Sequence, residues 1–186
     1  EVVDTIKSGW VGTGPKTKRF EEEFAAYVGA KYAVALNSCT AGLHLSLVVS
    51  GIGLGDEVIV PSLTFGSTAN VVEHVGAKPV FADIDPATLC ISPSEVERLV
   101  TPRTKAVIPV HYGGMPCAMD EIHEIADAHH LVVIEDAAHA TGAKYRGKAI
   151  GSLSPLTNFS FYANKNLSTA EGGMVTTDDP GLEEKL

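Results

Sequence analysis

Apolar residues in this chain fall into short runs with little polar alternation, separated by stretches whose apolar positions recur near every third or fourth residue. The runs are Tyr32–Leu36, Glu57–Val60, Lys78–Ala82, Ala106–Val110 and Leu131–Ile134. Unalternating runs of this length suit strands buried on both faces, the usual condition of parallel sheets. Helices are predicted between them, over Thr40–Val49 and Ser67–Val75. Another opens at Ser92-Pro93-Ser94-Glu95, where Ser as N-cap, Pro in the first turn and Glu at N3 agree. Met119, Ile122, Ile125 and Ala126 mark a further amphipathic helix. Phe20, Phe24, Tyr27 and Val28 mark one near the N terminus, with Gly29 placed to cap it. Glu1–Lys7 reads as the tail of a helix, broken by Ser8–Pro15. Strand and helix alternating in this way imply an α/β sheet with right-handed crossovers.

The last two strands depart from the pattern. Asn158–Tyr162 and Gly173–Thr177 are joined by a loop with no helix, too short for a parallel crossover. The expected fold class is therefore α/β in three layers, α/β/α. Its sheet is mostly parallel and seven-stranded, with one antiparallel strand. Residues 1–30 form an N-terminal segment and residues 31–186 one large domain. A further helix begins at Pro180–Leu186, which leads to the expectation that a C-terminal portion lies outside this chain.

Composition narrows the function classes. The chain is 45% hydrophobic and 20% charged, a globular balance. A formal net charge of −9 argues against a general nucleic-acid binder, since no phosphate-neutralising surface is implied. No apolar run reaches the length of a membrane span. Cys39, Cys90 and Cys117 are odd in number and widely spaced, which favours reduced structural thiols and a cytoplasmic setting over a disulfide framework or a zinc site.

Candidate chemistry gathers at strand ends, where α/β sheets place ligands. Lys165 lies on a polar loop directly after the run Phe159–Tyr162, and an amine there can form a Schiff base if partly desolvated. Glu135 and Asp136 end an earlier strand. A carboxylate in that place can keep a pyridine nitrogen protonated, or can simply cap a helix. His139 can lie against the same ring or stand in solvent. Asn37–Gly42 follows the first strand and opens a helix whose free N–H groups suit a phosphate, although an ordinary cap by Ser38 or Thr40 explains the same residues. Phe65 follows the second strand and serves either as a stacking aromatic or as core. Ser160 either donates to the same phosphate or fills the sheet. The other histidines lack metal-ligand spacing, and neither a Walker loop nor a GxGxxG follows any strand. Phosphate donors, an aromatic, an acid and a lysine suit pyridoxal 5′-phosphate (PLP) better than a nucleotide or a metal.

Five stretches carry a resemblance: Ser8-Gly9-Trp10 with Gly14-Pro15, Gly55–Pro61, Pro109–Gly114, Ile134–His139, and Ser160–Tyr162 with Lys165-Asn166 and Glu171–Gly173. In order and over nearly the whole chain they resemble the DegT-type sugar aminotransferases, which are fold-type-I PLP enzymes. The wording His111-Tyr112-Gly113-Gly114 and Asp136-Ala137-Ala138-His139 is most similar to members that aminate C4 of nucleotide-linked 4-keto sugars. The resemblance implies that Lys165 holds PLP as a Schiff base and moves the proton, and that Asp136 pairs with the pyridinium nitrogen. It also implies that His139 contacts the ring near its phenolic oxygen, that Thr40, Ala41 and Ser160 bind the phosphate, and that Phe65 stacks on the ring. Further implications are glutamate as amino donor, a nucleotide-sugar substrate, a homodimer, and a C-terminal small domain absent from this chain. Sister enzymes that dehydrate sugars replace the lysine with His, so Lys165 speaks for amination. A truncated, non-catalytic PLP-fold protein with a regulatory or scaffold role is the rival reading.

Overall fold

The computed structural model describes residues 1–186. Two helices lead the chain, α1 (Val2–Ser8) and α2 (Pro15–Val28), followed by β1 (Tyr32–Leu36), α3 (Cys39–Val49), β2 (Glu57–Pro61), α4 (Ser67–His74), β3 (Lys78–Ala82) and α5 (Pro93–Leu99). Then come β4 (Thr104–Val107), α6 (Met119–His129), β5 (Val132–Asp136), a hairpin of β6 (Lys144–Tyr145) and β7 (Lys148–Ala149), β8 (Leu156–Ser160), β9 (Gly173–Thr177) and α7 (Pro180–Glu183). The main sheet has 7 strands in the order β1-β9-β8-β5-β4-β2-β3. Strand β9 runs antiparallel to both of its neighbours, whereas the β2–β3, β2–β4, β4–β5 and β5–β8 pairs are parallel. This is the predicted sheet, with the one antiparallel strand where it is expected.

The unalternating runs have a direct physical cause. Successive strand side chains point to opposite faces, and both faces carry helices. Val58 and Val60 of β2, Ile134 of β5 and Val175 of β9 pack with Leu43 and Leu47 of α3 and Val71 and Val72 of α4. Their sequence neighbours turn the other way. Ile59 and Val133 meet Val96 of α5 and Ile122 and Ala126 of α6, and Phe159 and Met174 meet Phe24 and Val28 of α2. Three layers follow.

Several boundaries differ from the sequence reading. Strand β4 ends at Val107 rather than Val110, because Pro109 has no N–H for the ladder and only an isolated bridge joins Val110 to Asp136. Strand β5 is Val132–Asp136, shifted from the apolar run Leu131–Ile134, and Glu135 and Asp136 close it as expected. Strand β8 is Leu156–Ser160, and its partner β9 begins at Gly173 opposite Ser160, so Phe161 and Tyr162 lie past its end. Ser92 stands at the start of α5, but its hydroxyl meets that of Ser94 at 2.9 Å, and Glu95 pairs with Arg98 at 2.6 Å, so no reciprocal capping box forms. The β6–β7 hairpin was not anticipated. Arg146 and Gly147 both take positive φ (48° and 85°), a turn that Arg-Gly signals far less strongly than Asn-Gly.

Close approach of α3 to the sheet is set at Gly42. A Cβ there would lie 2.6 Å from Asn158 Oδ1 and 3.0 Å from Val175 Cγ2. In an open helix, Gly→Ala stabilises by about 1 kcal/mol. At this position overpacking reverses the sign, and Gly42→Ala is expected to destabilise the fold by ~1–3 kcal/mol in urea unfolding.

Candidate active site

The carboxyl ends of β1, β2, β5 and β8 open on a cavity of about 550 Å³. Asp136, Lys165, His139, Ser160, Thr40 and Phe65 all line it, although they come from segments far apart in the chain. Ala41 does not line it: its N–H is held by the Ser38 hydroxyl at 3.1 Å, one turn into α3.

At the floor of the cavity, Asp136 is buried at the end of β5. One carboxyl oxygen, Oδ2, accepts from the Thr68 hydroxyl at 2.9 Å. The other, Oδ1, accepts from the Ala138 N–H at 3.1 Å. Cys39 approaches the same carboxylate with Sγ at 3.9 Å. Burial, and then the nearby Asp136 charge, push the Cys39 thiol well above its ordinary range. Cys39 is therefore a neutral packing group, although it sits where a helix N-terminus would otherwise favour a thiolate.

Glu135, the preceding residue, points to the opposite face of the sheet. It is fully buried, with Oε2 2.7 Å from His111 Nε2 and Oε1 accepting from the Thr157 hydroxyl at 3.1 Å. His111 Nδ1 accepts the Cys117 N–H at 3.1 Å, so the ring proton lies on Nε2, facing Glu135. Burial alone would push the Glu135 carboxyl up. The bonds to His111 and Thr157 outweigh it and hold the carboxyl below its ordinary value.

The other end of the cavity is an anion cradle. Cys39 and Thr40 open α3, and their N–H groups have no acceptor within the protein. Two free amides at the positive end of a helix dipole are donors for an anion. Gly173 makes this end possible, because a Cβ there would overlap the Ser38–Cys39 backbone. Ser160 lies beside it at the end of β8, nearly buried, and its oxygen receives the Tyr162 N–H at 3.4 Å.

Lys165 lies half-buried between the two ends, and its amine makes no hydrogen bond or ion pair within the protein. Its charge still reaches His139: burial and then Lys165 hold the imidazole below its ordinary value, with Asp136 opposing. His139 Nδ1 accepts the Gly113 N–H at 3.4 Å. Phe65 is 78% exposed at the mouth of the cavity, so the core alternative for it is excluded.

A buried acid, an unpartnered amine, an open aromatic and unused amide donors at the far end fit a flat phosphorylated aromatic aldehyde. Sequence reasoning missed Thr68 and the part played by His111. Thr68 has a faint signal, a hydroxyl four residues after Thr64 on a helix face. The part played by His111 depends on a tertiary contact with Glu135 that no local pattern encodes.

Known proteins point the same way. The model of the DegT/DnrJ/EryC1/StrS aminotransferase family matches residues 1–186. The spore coat polysaccharide biosynthesis protein SpsC of Bacillus subtilis is 60% identical over 186 residues, which are 100% of this chain and 48% of SpsC. The crystal structure of DesI with its TDP-sugar product superposes with a TM-score of 0.93 at 43% identity, over 99% of this chain and 47% of DesI. Spr1654 of Streptococcus pneumoniae, solved in PLP and PMP forms, gives 0.93 at 38% identity, over 99% of this chain and 52% of Spr1654. The chain belongs to the DegT/DnrJ/EryC1/StrS aminotransferase family and spans about half the length of the relatives it matches.

The Glu135–His111 pair generates a stability prediction. Because the folded carboxyl lies below 4.5, it contributes stability above about pH 4.5, and that contribution fades as the pH falls through the folded value. Glu135→Gln is expected to cost ~3 kcal/mol or more at pH 7. It should also flatten the acid limb, so that the gap between variant and parent in urea unfolding narrows as the pH is lowered below 4.5.

Proposed function

We propose that this family member is the cofactor-binding part of a PLP-dependent sugar aminotransferase. It would transfer an amino group, from glutamate, to C4 of a nucleotide-linked keto-sugar. The reading is carried by one observation: an unpaired lysine amine shares a cavity with a buried, doubly hydrogen-bonded acid and the open amides of a helix N-terminus. PLP, when bound, supplies an electron sink for the charge left as a proton leaves a carbon next to nitrogen.

The residues divide the work by position. Asp136 would face the ring nitrogen and keep it protonated, and Thr68 and Ala138 fix the direction of its carboxylate. The Cys39 and Thr40 amides, the Thr40 hydroxyl and Ser160 would hold the phosphate. Ala41 contributes by extending the helix behind them. Phe65, at the cavity mouth, would cover one face of the ring and exclude water from it. His139, whose imidazole burial and Lys165 hold below its ordinary value, would offer a hydrogen bond at the ring edge without adding charge. Lys165 Nζ would be the attachment point and would carry the proton between the cofactor and substrate carbons. No other lysine lines the cavity.

Nucleotide linkage is supported by the TDP-sugar product in DesI, and a polysaccharide setting by the part of SpsC in spore coat polysaccharide biosynthesis. PLP is supported by the PLP and PMP forms of Spr1654. In this reading residues 31–186 are the PLP-binding large domain, and a second copy of the protein and further chain complete the substrate side, as a homodimer in the cytoplasm. No helix is long and apolar enough to cross a membrane.

The test is amino transfer in the full-length protein from L-glutamate to a nucleotide-linked 4-keto sugar. Lys165→Ala is expected to lower turnover by ~10²–10⁴-fold. Wild-type turnover in that variant would sink the assignment, and exclusive use of a 3-keto isomer would overturn the C4 position.

A further inference from the structure

Thr68 is fully buried on α4, yet its hydroxyl does not bond the backbone carbonyl one turn back, the usual outlet for a helical threonine. It reaches across to Asp136 Oδ2 at 2.9 Å and touches the Thr64 hydroxyl at 2.8 Å. A threonine has one hydroxyl proton. Thr68 gives its proton to Asp136, so in the second contact Thr64 must be the donor. The chain of bonds thus has one direction, Thr64 to Thr68 to Asp136.

The same pair brackets Phe65. That side chain is 78% exposed, so packing does little to hold it. Its carbonyl accepts the Thr68 N–H at 3.1 Å, and the next carbonyl, of Gly66, accepts from Asn70 at 3.0 Å. Thr64, immediately before Phe65, is tied by its hydroxyl to Thr68. Both flanks of the aromatic are therefore fastened to the residue that fastens the acid.

We infer that Thr68, with Thr64 behind it, is a positioning residue that sets the Asp136 carboxylate and the Phe65 loop together, so that the acid and the aromatic face of the cavity are held in one register. The inference rests on the reading of Asp136 as the partner of the cofactor's ring nitrogen. Removing the hydroxyl leaves a buried carboxylate oxygen without its donor and releases the Thr64 flank of the Phe65 loop, while the backbone bond from Thr68 to Phe65 stays. Each effect weakens cofactor binding, and neither requires a change in Lys165.

The experiment titrates PLP into apo full-length protein and reads the dissociation constant and the visible absorption maximum. The variants are Thr68→Val, Thr68→Ser and Thr64→Val, with Asp136→Asn as reference. Thr68→Val, equal in shape, is expected to bind PLP ~10-fold or more weakly, the scale of one hydrogen bond to a charged group. Its absorption maximum should shift in the direction seen for Asp136→Asn, and Thr68→Ser should restore both readouts. Wild-type binding by Thr68→Val beside a weakened Asp136→Asn overturns the positioning role alone. Equal loss in Thr68→Val and Thr68→Ser also overturns it, since the hydroxyl would then not matter. Wild-type binding by Asp136→Asn overturns the underlying reading of the acid and this inference with it. If Thr68→Val does not fold, Thr64→Val decides: a several-fold weaker affinity supports the relay, and wild-type affinity overturns it.

Discussion

Two adjacent carboxylates end a strand in the middle of the sheet, and the site depends on how they are buried. Glu135 and Asp136 are successive strand residues, so they face opposite layers. A buried carboxylate is costly unless it finds donors. Glu135 finds the His111 ring and the Thr157 hydroxyl among the residues of β8 and the loop after β4. Asp136 finds the Thr68 hydroxyl on α4 and the Ala138 amide. One dipeptide thus locks the loop after β4 on one face and α4 on the other. The backbone closes the same junction, with Asp136 N–H donating to Pro109 and His111 N–H donating to Asp136 at 2.9 and 3.1 Å.

The cavity is what that junction leaves open. Helix α3 is drawn tight against β8 and β9 at Gly42 and Gly173, which brings its N-terminal amides to the edge of the same space. Asn158 locks that contact from below, accepting from Ser46 on α3 at 3.2 Å and donating to the Glu135 carbonyl at 3.2 Å. An anion cradle and a buried acid therefore stand at opposite ends of one rigid frame. Lys165 and Phe65, by contrast, sit on loops, where adjustment to a ligand costs little packing.

The architecture was largely legible because three layers leave a strong imprint on strands: Val58, Ile59 and Val60 are apolar in succession only if both faces are covered. Strand ends were less legible. Pro109 stops a ladder that its apolar neighbours seem to extend, and β8 ends at Ser160 because β9 starts at Gly173, a partner no local window contains. Within the site, Asp136, Lys165, His139, Ser160, Thr40 and Phe65 were found from residue type and strand-end position, and they converge on one cavity. Ala41 was drawn one residue too deep into the helix, since Ser38 already takes its amide. Thr68 and His111 act through side-chain contacts across 68 and 24 residues of sequence, and periodicity carries no trace of such pairs.

The most direct test of the central claim is reduction with borohydride after PLP has been added to the full-length protein, followed by peptide mapping. The account predicts a visible absorption band that disappears on reduction, with the label on Lys165 alone. A band that reduces onto another lysine, such as Lys144 or Lys148 of the hairpin, or no band at all, would contradict it.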